Sequence, residues 1–181
     1  GDTALAGVDT LVAVKPHVVA DVCAGLAVLG VPRVVSIAAG VRTGAIEAVI
    51  GEGVPVVRVM PNTPSLVGEG AAAVAGGRAA SDEDIKWAAG ILSAVGEVVV
   101  VPEALLDAVT GLSGSGPAYV FLLAEALMDA GEAEGLPREV AVALTEQTLL
   151  GAATLLSRSD DPAATLRENV TSAGGTTAAG L

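Results

Sequence analysis

The chain has 181 residues, 21 of them acidic against nine basic for a net charge of −12, and it is 52% hydrophobic but only 2% aromatic. That length suffices for one sizeable domain or two small ones with cores of Ala, Val and Leu, while the thin scatter of basic residues leaves no face to neutralise phosphates and excludes nucleic acid as a partner. The single cysteine, Cys23, and single histidine, His17, exclude an intrachain disulfide, cysteine-rich metal sites and any catalytic triad not centred on His17, so no metal centre is expected.

In chain order, Asp9 to Val14 reads as a buried strand and Pro16 to Leu29 as a helix with proline in its first turn. Arg33 to Ala38 reads as a second strand, completing a βαβ rhythm. Thr43 is the expected N-cap of a helix to about Ile50, followed by a strand Val56 to Met60 and a loop Pro61 to Pro64. A further apolar run, Ala71 to Ala75, precedes a helix that opens at Ser81, where Asp84 can complete a capping box. Strand Glu97 to Val101 closes the region. Strands and helices alternating in this way predict a mostly parallel α/β sheet, whose ligands bind beyond the carboxyl ends of its strands.

After Pro102 only helices are expected: Ala104 to Thr110, a long apolar one from Pro117 to about Ala130, Pro137 to Ser157, and Pro162 to Val170 behind an Asp161 N-cap. The boundary between a dinucleotide-binding domain, 1–102, and a helical domain, 103–181, falls here. Helices apolar on nearly every side must be buried on nearly every side, and some 80 residues cannot do that alone, so the helical half is expected to pair with a second copy. The longest uncharged run, Ala108 to Ala124, contains Gly111, Ser113, Gly114, Ser115, Gly116 and Pro117, a loop before a helix and not a membrane span. No charged segment with a small-residue cleavage site opens the chain, so a cytoplasmic location is the expectation.

Several segments could carry chemistry. Val14, Lys15 and Pro16 stand where a strand yields to a helix, the edge at which doubly wound sheets hold nucleotides. An ordinary surface lysine beside a first-turn proline explains them equally simply. Ala38, Ala39 and Gly40, with Val41, let a flat ligand approach the backbone after the second strand. Met60 to Pro64 do the same after the third, where the Asn62 amide can donate and accept towards a carboxamide or ribose. Each could also be a plain turn. His17 and Cys23 read as structural. Gly114-Ser115-Gly116 fails as a dinucleotide fingerprint because Tyr119 stands where a third Gly or Ala is needed, and reads as a helix start capped by Ser113 or Ser115. Ser172, Ala173, Gly174, Gly175, Thr176 and Thr177 offer converging backbone N–H groups for a small anion such as a carboxylate, or simply a helix-capping turn.

Val14-Lys15-Pro16, Ala38-Ala39-Gly40-Val41, Met60-Pro61-Asn62-Thr63-Pro64, Leu112 to Tyr119 and Val170 to Thr177 occur in the order and rough spacing of pyrroline-5-carboxylate reductases, and the chain resembles that family along essentially its whole length. The last two motifs are the more specific. The resemblance implies a Rossmann-like α/β domain followed by an all-α domain that dimerises by interleaving helices, often building further into rings. It implies NADPH or NADH as cofactor, lined by Val14, Lys15, Pro16, Ala38, Ala39, Gly40 and Asn62. The substrate carboxylate would lie on Ser172 and the amides of Gly174, Gly175, Thr176 and Thr177, a loop contributed across the dimer.

Relatives carry proline at the position of Ala173, and they begin with a βαβ unit bearing G-x-G-x-x-G, which nothing before Asp9 matches; roughly 30 residues or more are expected to be missing at the front. The last helix also stops at Leu181, so the chain reads as a fragment or truncated product. The implied reaction is hydride transfer to C5 of 1-pyrroline-5-carboxylate, giving L-proline, with the Thr177 hydroxyl on the ring nitrogen. Protonated cyclic imines are already electrophilic, so orientation is the main task. The alternatives are a related imine or β-hydroxyacid reductase, which would normally carry a lysine on the long helix where this chain has only Glu125 and Asp129, and a non-catalytic dimerisation remnant.

Overall fold

The computed structural model describes residues 7–181. Five strands form one sheet in the order β1-β2-β3-β4-β5: β1 Thr10–Val12, β2 Val34–Ser36, β3 Val56–Met60, β4 Gly70–Gly76 and β5 Gly96–Val100. β1, β2 and β3 are parallel, as are β4 and β5, but β4 runs antiparallel to β3. The reason is the connection. A parallel return needs a long crossover, usually a helix, whereas β3 and β4 are joined only by the 3-10 turn Thr63–Val67 and its flanking residues, with Gly68 in the left-handed region at φ +80°.

Helices α1 (Val19–Leu29) and α2 (Thr43–Ile50) cover one face, where Val12, Val34 and Val56 meet Cys23, Leu26 and Ile46. Helix α3 (Asp82–Ser93) covers the other against Val35, Val57, Val59 and Val74. Side chains alternate along β3, so Val56 and Val57 enter opposite clusters, the pattern of strands buried on both faces. Leu106, fully buried on the short helix α4 (Leu106–Val109), packs against Ala73 and Ala75 of β4. Ser81 and Asp84 form the expected capping box of α3. Arg33 lies over the Trp87 ring at 4.5 Å and pairs with Asp9 and Asp84, fastening the segments before β1 and β2 to α3.

The helical residues comprise α5 (Gly116–Ala133), α6 (Arg138–Arg158), α7 (Ala163–Asn169) and α8 (Thr176–Gly180). The chain divides into two compact units, Gly1–Tyr119 and Val120–Leu181. Four local expectations need correction. Thr43 is the first residue of α2, not its cap, because its hydroxyl is donated to Glu103. Pro162, not Asp161, is the N-cap of α7, and it makes no side-chain cap bond. The stretch expected as one helix over Ala104 to Thr110 breaks into a 3-10 turn Glu103–Leu105, α4 and a π-helical turn Thr110–Gly114. Ser113 lies in that turn and donates its hydroxyl to the Val109 carbonyl, so it is no cap for α5.

Candidate active site

Because β1, β2 and β3 are parallel and in register, their carboxyl ends open on one edge of the sheet, and the three segments picked out from the sequence emerge there together. Val14 and Lys15 are exposed beyond β1, and Pro16 opens the 3-10 turn Pro16–Val18, closed by the Val18 N–H on the Lys15 carbonyl at 3.0 Å. Beyond β2, Ala38 is buried and gives its N–H to the Ser36 hydroxyl at 3.3 Å. Ala39 and Gly40 are exposed. Gly40 holds φ +76°, a left-handed conformation that glycine adopts without strain, and the space where a side chain would stand is open. The backbone here is bare on its outer side, as a flat ligand requires.

Asn62 is more committed than its sequence suggested. Its Oδ1 accepts the Ala71 N–H at 2.8 Å and its Nδ2 donates to the Ser113 carbonyl at 3.1 Å, tying the end of β3 to the start of β4 and to the π-helical turn. One amide hydrogen and one lone pair remain for a ligand. Asn62 also lines a cavity of about 540 Å³ with Leu11, Ile37, Met60, Pro61 and Leu92, whose walls are almost wholly apolar. Gly114 lies against the Met60 methyl group so closely that a side chain there would displace it. The Gly114 contact and the Ser113 carbonyl were missed in the sequence, because no local spacing relates residue 60 or 62 to residues 113 and 114.

Charge on this part of the molecule is arranged by a second set of contacts that the sequence did not reveal. Arg58, on β3, is 3% exposed and lies 3.5 Å from both Glu103 and Asp107. Glu103 accepts the Thr43 N–H on Oε1 at 2.7 Å and the Thr43 hydroxyl on Oε2 at 2.9 Å. Nearby, Glu47 is buried and accepts the Arg78 N–H at 2.6 Å.

The carboxylate-loop candidates lie in the second compact unit. Gly174 holds φ +71°, and Gly175 is the N-cap of α8, its N–H donated to the Ser172 carbonyl at 3.0 Å. A side chain at Gly175 would collide with the Ser172 hydroxyl. Ser172, Thr176 and Thr177 are exposed, and the first N–H groups of α8 have no partner within the helix. The structure therefore gathers Val14, Lys15, Pro16, Ala38, Ala39, Gly40 and Asn62 on one sheet edge, and Ser172 and Gly174 to Thr177 in one loop. His17 is exposed in its 3-10 turn; Cys23 is fully buried, and burial pushes its thiol up. Among the described residues no cluster of His, Cys, Asp and Glu could hold a metal ion.

Residues 103–181 match the family described as pyrroline-5-carboxylate reductase dimerisation. The chain is 48% identical over 175 residues to the pyrroline-5-carboxylate reductase of Synechocystis, covering 94% of this chain and 64% of that protein. It is 47% identical to the Pseudomonas aeruginosa pyrroline-5-carboxylate reductase, covering 98% of this chain and 67% of the relative. Its fold superposes on the Plasmodium falciparum pyrroline carboxylate reductase, solved with NADP bound, with a TM-score of 0.89 at 35% identity, over 99% of this chain and 70% of the other. The chain thus spans about two thirds of these relatives.

Proposed function

The chain belongs to the pyrroline-5-carboxylate reductase family, and on that premise we propose that the whole protein reduces 1-pyrroline-5-carboxylate to L-proline with NADPH or NADH. The observation that carries this reading is the match in fold and sequence, along nearly the whole of this chain, to pyrroline-5-carboxylate reductases, one of them holding NADP. The bare backbone at Ala39 and Gly40 and the exposed Lys15, which follows the neighbouring strand β1, suit a dinucleotide laid along the sheet edge. In this reading Val14, Lys15, Pro16, Ala38, Ala39, Gly40 and Asn62 line the cofactor, and 1–102 is its domain.

The reaction adds a hydride to C5 and a proton to nitrogen across a C=N bond, the hydride coming from the reduced nicotinamide when it is bound. Ser172 and the amides of Gly174, Gly175, Thr176 and Thr177 hold the substrate carboxylate, and the Thr177 hydroxyl hydrogen-bonds the ring nitrogen. Orientation then supplies most of the acceleration. The dimerisation match supports a homodimer built through 103–181, with each site drawing on two chains and larger rings following from the same contacts. Helix α6 is long and apolar enough to cross a membrane by length and composition; since it lies within that match, its apolar surface is assigned here to the partner subunit and the protein to the cytoplasm.

The test is steady-state NADPH oxidation by the whole protein with 1-pyrroline-5-carboxylate. Thr177→Ala should lower kcat about 100-fold with little change in dinucleotide affinity. An unaltered kcat removes Thr177 from the chemistry, and an inactive wild-type protein that still dimerises would favour the dimerisation remnant.

A further inference from the structure

We propose that Glu103 is a positioning residue for the dinucleotide: it caps helix α2 from sixty residues away and so sets the exit of the Ala38–Gly40 loop on which the cofactor lies. This rests on the reading above.

The cap residue at the start of α2, Arg42, makes no side-chain bond to the helix, so the first N–H groups need partners from elsewhere. Glu103 supplies one through Oε1 and takes the Thr43 hydroxyl on Oε2, and a carboxylate at a helix N-terminus is also favoured by the helix dipole. Thr43 is 4% exposed, and the Glu103 side chain is only 26% exposed, with Arg58 behind it at 3.5 Å. Both ends of the carboxylate are thereby held.

The loop between β2 and α2 is pinned at its entrance by the Ala38 N–H on Ser36, and at its exit by Thr43 on Glu103. Between the pins stand exposed Ala39 and Gly40, the latter in the left-handed region, in a turn whose own closure is the long bond from the Val41 N–H to the Ala38 carbonyl at 3.4 Å. A ligand resting on this backbone must meet the cost of ordering it, unless the pins have already done so. Loosening the exit pin should therefore weaken dinucleotide binding and leave turnover of the filled site alone. A purely structural role predicts the opposite pattern, a smaller active fraction with unchanged affinity.

Removing Glu103 would leave the buried Arg58 with only the exposed Asp107 as an ionic partner and could disturb folding, so the decisive variant is Thr43→Val, which deletes the hydroxyl donor and keeps the Glu103–Arg58 pair; Thr43→Ser restores the donor. The experiment is fluorescence titration of the whole protein with NADPH, alongside KM for NADPH and kcat. Thr43→Val should raise Kd and KM about five- to tenfold with kcat within about twofold of wild type, and Thr43→Ser should return both constants to the wild-type range. The proposal is overturned by a Thr43→Val protein whose Kd and KM for NADPH are unchanged, whatever its kcat, or by Thr43→Ser binding as weakly as Thr43→Val. A wild-type protein that binds NADPH without reducing 1-pyrroline-5-carboxylate would defeat the functional reading alone, since the titration still decides the role of Glu103; one that fails to bind NADPH would overturn both.

Discussion

The two compact units differ in where their apolar surface goes. Among the described residues, every buried hydrophobic side chain except Ala141 lies in the first unit. Its sheet is covered by α1, α2 and α4 on one face and by α3 on the other, so its core closes within one chain. Helix α5 buries no residue within the chain, and α6 buries only Ala141 and Thr145, although both helices are rich in Leu, Val and Ala. Phe121, Leu122, Leu144 and Leu150 are each more than half exposed. Large exposed apolar surfaces of this kind mark association sites, and the dimerisation match over 103–181 points to a second copy as the cover. With a second copy as that cover, stability in the first unit would be a property of the chain, whereas in the second it would depend on concentration.

The sharpest way to break this contrast is to place charge where the second copy would sit. Leu122→Glu combined with Leu144→Glu should raise the dimer dissociation constant at least about 100-fold, read by sedimentation, since each carboxylate would be buried unpaired in a dimer but solvated in a monomer. A variant that stays dimeric would put the interface elsewhere. Next in size, Leu106→Ala should destabilise the first unit by about 3 kcal/mol in urea titrations, by the same amount at low and high protein concentration.

The smallest effect belongs to the cap of α3, where Ser81→Ala should cost about 1 kcal/mol near neutral pH. The Ser81 hydroxyl and then its backbone N–H hold the Asp84 carboxyl below the usual carboxylate range. A folded-state pKa below the unfolded one adds stability above about pH 4, which is lost as pH falls through the lower folded value. The gap between wild type and Ser81→Ala, measured by thermal unfolding, should therefore narrow below about pH 4. A gap independent of pH would separate the cap from the ionised form of Asp84.

Legibility followed the distance between partners along the chain. The capping box was readable because Ser81 and Asp84 are one helical turn apart. The strand ends were readable to within two residues because apolar runs stop there: Met60 ends β3 as expected, but β1 ends at Val12 rather than Val14 and β2 at Ser36 rather than Ala38. Thr43 was misread for the complementary reason: a threonine before a helical stretch reads as a cap, and nothing near it reveals that Glu103 will take both its N–H and its hydroxyl. Asn62 was rightly placed at the sheet edge, but its commitments to Ala71 and Ser113 were invisible.

The sequence by itself determined the alternation of strands and helices, the family resemblance and the segments at the carboxyl edge, since each rests on residues adjacent in the chain. Tertiary structure alone decided the reversal of β4, the π-helical turn against Met60 and the clamp of Glu103 on α2. Those depend on which distant groups meet once buried N–H, carboxylate and guanidinium groups must all find partners, a condition that no local pattern records.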